Sequence, residues 1–336
     1  MKQTYSIKNN KGMTVVCSPV GAGLVDIIVP NKYGKKESVL VHPLDINDYN
    51  YSYCYFGKPT GRTAGRIENG EFTIEGKKYL INKRKINKHA LHGGVEGMAF
   101  KTFSAEIKED DTFNTLIFKY SSPDGEGGYP GKLDVIITYK QYKNENKLLI
   151  LHDACSDKTT LCNFTTHAYF NLSGDCKRDI LDQVLYINAS KYGKVDENVL
   201  ATGIFEVNEN YDFMTPHNIG KYIETKECQE YARGYDNPFV LNSVGRGSVS
   251  AFLSDNTSGR CVKITSSYEC MVLYTTCYPD DVVVNTGKPL TRYLGCCLEM
   301  QHFPNACNAE FITDKKDILK KGDKYSEFVE YDFTIE

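Results

Sequence analysis

The chain has 336 residues, 41% of them apolar and 25% charged, with a formal net charge of −3. That length can bury a substantial core, in one large domain or two ordinary ones. The charge balance supplies no basic field for nucleic acid, and no apolar run is long enough to cross a bilayer, so neither partner is expected. The opening residues Met1 to Tyr5 lead into polar sequence rather than an apolar signal core, which argues for a cytoplasmic location. Twelve cysteines include no Cys-x-x-Cys, and the closest pair is the adjacent Cys296 and Cys297. They read as reduced, mostly buried thiols rather than a disulfide framework.

Along the chain the repeating signal has period two. Short runs rich in Val, Ile, Tyr, Phe and Thr predict strands over 23–29, 71–75, 101–107 and 112–120. In the next run, Leu133, Val135, Ile137 and Tyr139 alternate mostly with polar neighbours. Further strands are expected over 147–155 and 183–188, then one helix over 221–232 after Pro216, then strands over 248–254, 260–265 and 269–275. The chain closes on Val329, Tyr331, Phe333 and Ile335, which alternate with polar residues as a strand with one wet face does. Many strands with almost no helix point to an all-β sandwich or barrel. No Gly-x-Gly-x-x-Gly or Walker loop occurs, no repeat or linker divides the chain, and a single domain over 1–336 is the simplest organisation.

Candidate chemistry gathers in a few polar segments. Gly61-Arg62-Thr63-Ala64-Gly65-Arg66 offers two arginines among small residues, suited to hydroxyls, a carboxylate or a bound anion. His92 precedes Gly93-Gly94, where backbone can approach a ligand, although a hydrogen-bonded turn histidine would look the same. His167 sits in Thr166-His167-Ala168-Tyr169-Phe170-Asn171, where a strand would turn His167, Tyr169 and Asn171 to one face. Such a face is costly to bury without partners and suits a polar pocket. Asp236 occupies a turn, with an Asx cap as the plain alternative. Glu299 lies between Cys296-Cys297-Leu298 and Met300, an apolar setting that suits either a base or a buried ion pair. His42, His152, His217 and His302 lack patterned neighbours and read as surface or core residues.

Six stretches, in order, resemble the aldose 1-epimerases, the galactose mutarotase family: GRTAGRIENGEF, NKHALHGGVEG, SPDGEGGYPG, THAYFNLSG, GYDNPF and CLEMQHFPNACN. The resemblance runs from the segment around Val20 to the C-terminus and ends in ILKKGDKYSEF. It implies a large, many-stranded antiparallel β-sandwich, the galactose mutarotase-like supersandwich. It also implies roles. His167 would be the general acid and Glu299 the base, with Arg66, His92 and Asp236 around the sugar; Tyr169, which a strand would turn to the face of His167, is expected to join them. The implied reaction opens the ring of a free hexose and recloses it on the other face, with no cofactor and no metal. The expected partner is a small sugar, and the expected assembly is a monomer or a weak homodimer.

Three positions depart from the family pattern. Gly65 stands where asparagine often precedes the arginine, Val272 replaces a common glutamine, and Phe303 replaces a usual tryptophan. These bear on sugar preference. Three rival readings remain open at this stage. A hexose 6-phosphate mutarotase would recruit Arg62 or Lys58. A non-catalytic sugar-binding protein would share the fold. A metal enzyme would use His92, His167 and Glu299 as ligands.

Overall fold

The computed structural model describes residues 4–336. Period-two alternation becomes strand throughout. Leu133, Val135, Ile137 and Tyr139 are all buried on one face of Leu133–Tyr142, and Val329, Tyr331 and Phe333 are buried within Lys324–Ile335. These two strands belong to a nine-stranded antiparallel sheet. Its order is Ser104–Glu109, Phe113–Ser122, Leu133–Tyr142, Lys147–Ser156, Lys324–Ile335, Arg260–Ser266, Ala251–Asp255, Val184–Ile187 and His217–Asn218.

A second, six-stranded sheet runs Tyr169–Phe170, Cys296–Gln301, Cys270–Tyr274, Asp236–Val240, Lys191–Val195 and Ala201–Glu206, again antiparallel. The two sheets share one hydrophobic cluster, in which Ile137, Ile150, Val262 and Tyr331 meet Phe170, Leu273, Leu298 and Met300. Phe170 and Tyr331 touch edge to face across it, with ring centroids 5.2 Å apart. Leaving water is what holds such layers together, at roughly 25 cal/mol per Å² of apolar surface. A four-stranded N-terminal sheet (Tyr5–Lys8, Thr14–Cys17, Leu24–Pro30, Lys36–Ser38) adds Val15, Cys17, Leu24 and Ile27 to the same cluster. The architecture is therefore the antiparallel sandwich expected.

The strand Cys296–Gln301 is buried on both faces. Cys296, Leu298 and Met300 enter the core, so alternation sends Cys297, Glu299 and Gln301 to the opposite side. Its neighbour divides the same way: Met271 and Leu273 go inward, Val272 and Tyr274 outward.

The helix expected over 221–232 shrinks to a single 3-10 turn at Ile219–Lys221 and a five-residue α-helix at Lys226–Glu230. Arg233 (φ 56°) and Gly234 (φ 139°) end it abruptly, because the chain must turn into the strand that carries Asp236. A short helix at Ile46–Tyr51 was not anticipated, although Asp45 caps it by accepting from the Asn47 N–H. No helix among the described residues is long and apolar enough to cross a membrane.

One buried ion pair ties the N-terminal sheet to the large one. Arg260 Nη2 donates to Glu37 Oε2 at 2.8 Å, and both side chains are almost fully buried. Burial alone would raise the Glu37 carboxyl, but Lys177, Lys35 and Arg260 together hold it down at about 2. The stabilisation is thus present above the ordinary carboxylate range and lost as pH falls toward about 2. Arg260→Met is expected to destabilise the fold by about 3 kcal/mol, the lower end for breaking a buried pair because two lysines remain on Glu37. Urea midpoints of the two proteins check it.

Candidate active site

His167 stands in the gap between two short strands, Thr165–Thr166 and Tyr169–Phe170. Its backbone is pinned on both sides: its N–H donates to the Lys58 carbonyl at 3.1 Å, and its carbonyl accepts from the Gly57 N–H at 2.8 Å. Sheet register then fixes its partner. Tyr169 pairs with Cys297, so Glu299, on the same face as Cys297, faces the imidazole. His167 Nε2 and Glu299 Oε1 lie 3.4 Å apart, with the residues 5% and 3% exposed. His167 Nδ1 meets the Cys297 thiol at 3.4 Å.

Burial works against charge on both members of this pair. It pushes His167 down to about 4 and raises Glu299 well above its ordinary range, the Asp236 charge adding to the rise and Arg66 opposing it. Desolvation thus favours the uncharged form of each group, a neutral imidazole beside a protonated carboxyl. Glu299 Oε2 has no hydrogen-bond partner, although it is buried.

His92 adopts φ 50° at the start of a turn continued by Gly93 and Gly94. A Cβ at Gly93 would come within 1.9 Å of the Gly61 carbonyl oxygen, so only glycine fits there. The Gly65 N–H donates to His92 Nδ1 at 3.2 Å, and Thr60 Oγ1 lies 3.2 Å from the same nitrogen. An accepting Nδ1 leaves the ring proton on Nε2, so neutral His92 offers an N–H donor. Burial, then the neighbouring His167 and Arg66, keep it neutral. The two imidazoles meet edge to face, 5.1 Å between centroids.

Arg66 Nη2 donates to Asp236 Oδ2 at 3.2 Å. Burial raises the Asp236 carboxyl, and Arg66 opposes that rise. Tyr169 contributes its ring to the wall, while its hydroxyl donates to the Cys54 carbonyl at 2.9 Å. These groups surround a cavity of about 420 Å³, whose wall also includes Tyr55, Val272, Tyr274 and Gln301.

Arg66, His92, His167, Tyr169, Asp236 and Glu299 thus all reach one cavity. Asn171 does not. The strand ends at Phe170, so alternation runs out, and Asn171 Nδ2 instead donates to the Arg178 and Leu294 carbonyls. Nor does Arg62, which is buried and bonds Ser122 and the Pro130 carbonyl. Lys58 is buried as well and donates to the Asn50 carbonyl. Neither cation lines this cavity, although Arg84 and Lys88 do. Of the three departures, Gly65 and Val272 line the pocket, whereas Phe303 packs against Phe311. His92, His167 and Glu299 offer ligand atoms within 4.8 Å of one another, a donor set that suits zinc. Gln301 escaped sequence reasoning, although its place two residues beyond Glu299 put it on the same strand face.

A sandwich that gathers a buried histidine–glutamate pair and an arginine–aspartate pair around one cavity has the make-up of an enzyme site. The family model for aldose 1-epimerase matches residues 3–332. Rat (Rattus norvegicus) galactose mutarotase is 30% identical over 320 residues, covering 94% of this chain and 89% of that protein. Aldose 1-epimerase of Escherichia coli K12 is 27% identical over 335 residues, covering 98% and 95%. Among solved structures, the GalM/aldose epimerase homologue from C. elegans superposes with a TM-score of 0.88 at 26% identity, covering 100% of this chain and 99% of that one. Galactose 1-epimerase from Lactobacillus acidophilus gives 0.86 at 26% identity, covering 99% and 94%. The chain belongs to the aldose 1-epimerase family. It is an isomerase, and its reaction exchanges the two anomers of an aldose.

Asp236→Asn keeps the side-chain shape but removes the charge from the cavity-wall carboxyl that pairs with Arg66. It is expected to raise KM roughly tenfold, the value of one charge-assisted hydrogen bond. Initial rates across a sugar titration check it, with circular dichroism to show that the fold is intact.

Proposed function

We propose that His167 and Glu299 are the general acid and base of anomer exchange on a free hexose, with galactose and glucose as the expected substrates. The observation that carries this reading is the buried 3.4 Å contact between His167 Nε2 and Glu299 Oε1 inside a cavity rimmed by Arg66, His92 and Asp236. The galactose mutarotases among the relatives support the sugar class.

In the reactive form the imidazole carries the proton and Glu299 is ionised. Glu299 removes the proton of the anomeric hydroxyl as His167 gives its proton to the ring oxygen. The bond between C1 and the ring oxygen breaks, and C1 becomes an aldehyde. Half a turn about C1–C2 presents the other carbonyl face. The two transfers then run in reverse, and both groups regain their starting states. His92, neutral with its proton on Nε2, donates to a sugar oxygen, and the Arg66–Asp236 pair holds hydroxyls. Positioned proton transfer of this kind contributes roughly 10²–10⁴-fold.

The proton inventory balances without a metal, even though His92, His167 and Glu299 could bind one. Purified enzyme is expected to keep full activity after dialysis against a chelator. Loss of activity restored by zinc would favour the metal reading. The same proposal places the chain in a reducing compartment, the cytoplasm, which twelve free cysteines support.

Glu299→Gln and His167→Ala are each expected to lower kcat by roughly 10²–10⁴-fold, measured by polarimetry on fresh α-anomer. Near-normal rates in either folded variant would remove the assignment. The pH profile follows from the shared proton. Below about pH 4 both groups are protonated and no base remains, so activity falls on the acid side. On the alkaline side it falls only where the raised Glu299 carboxyl surrenders the last proton, well above the ordinary carboxylate range. A profile with no acid limb would contradict the pairing.

A further inference from the structure

Gln301 ends the strand that carries Glu299, is fully buried, and contributes to the cavity wall. Its amide is only half satisfied. Nε2 donates to the His302 carbonyl at 3.3 Å, while Oε1 has no partner. The reverse amide orientation would set two carbonyl oxygens against each other at His302, so the free end is the acceptor. An orphaned buried acceptor costs about 1–3 kcal/mol, a penalty that a ligand donor relieves. Gly65 lets the backbone pass close to this amide and to Pro304. A Cβ there would lie 3.3 Å from Gln301 Nε2 and 2.7 Å from Pro304 Cβ.

Spacing identifies the donor. Two residues along a strand is about 7 Å, so Gln301 stands a ring's width from Glu299 on the same face. With the anomeric hydroxyl at Glu299, the hydroxyls within reach of Gln301 lie on the far side of the pyranose. Val272, opposite Glu299 in the ladder and almost buried, provides an apolar wall beside it.

We propose that Gln301 is a substrate-binding residue whose Oε1 accepts a hydrogen bond from the sugar hydroxyl at C3 or C4. This rests on the acid–base reading above, because Glu299 sets the orientation of the ring. It makes Gln301 a determinant of which hexoses fit, since a site built to accept a hydroxyl discriminates against sugars that lack it.

The test compares wild type with Gln301→Leu on galactose and its 2-, 3-, 4- and 6-deoxy counterparts, followed by polarimetry. On galactose, Gln301→Leu is expected to raise KM about 3- to 10-fold with kcat little changed, the worth of one neutral hydrogen bond. That increase should vanish for the 3-deoxy or the 4-deoxy sugar and persist for the 2- and 6-deoxy sugars. An unchanged KM on galactose overturns the proposal, as does an equal loss on every sugar, which is the mark of a purely structural amide. Gln301→Asn keeps an amide in the wall but withdraws its acceptor from the cavity. It should give the same sugar-dependent pattern, and it carries the test alone if the leucine variant does not fold. Turnover of galactose by Glu299→Gln, measured beside it, reports separately on the acid–base reading, so failure of one is distinguishable from failure of the other.

Discussion

The register between Tyr169–Phe170 and Cys296–Gln301 is the constraint on which the site depends. A strand slipped by one residue would carry Glu299 into the core and turn Leu298 toward the sugar. With Tyr169 opposite Cys297, a carboxyl and an imidazole separated by more than a hundred residues of sequence meet in a buried stretch of the cavity wall. Desolvation makes that arrangement unfavourable for folding and useful for chemistry, because it draws the proton affinities of both groups away from their solution values. The ladder that pairs Glu299 with Val272, and the backbone bonds that pin His167 to Lys58 and Gly57, hold the two side chains in place.

Around this pair, polar groups divide by whether the fold has already satisfied them. Arg62 and Arg66 belong to one short motif, yet Arg62 is spent on Ser122 and the Pro130 carbonyl while Arg66 faces the cavity beside Asp236. Tyr169 gives a ring to the pocket but commits its hydroxyl to Cys54. His92 commits one nitrogen to the Gly65 backbone and so presents the other with a defined proton. Glu299 Oε2 and Gln301 Oε1 are left as buried acceptors with no protein donor.

Much of the sandwich was legible because each core strand carries its pattern locally. Leu133 to Tyr139 and Val329 to Phe333 alternate in sequence and are buried accordingly. The helix over 221–232 was not, since its shortening reflects a turn demanded by the Asp236 strand rather than any propensity within the segment. Asn171 misled for a related reason. Alternation predicts a shared face only while a strand continues, and this one stops at Phe170. Gln301 was the converse case, a residue in plain view within the Glu299 motif whose importance lay in an amide oxygen left unpaired by its neighbours.

Sequence by itself determined the strand-rich class, the family, and the residue types available for proton transfer, because alternation and motif order are properties of neighbouring residues. Tertiary structure alone decided which of those residues meet. It brought His167 within 3.4 Å of Glu299, kept Arg66 in the cavity and withdrew Arg62 from it. The physical reason is that a side chain's proton affinity and free bonding capacity are set by what surrounds it in space. Those surroundings come from strands far apart in the chain, joined by a register that no single segment encodes.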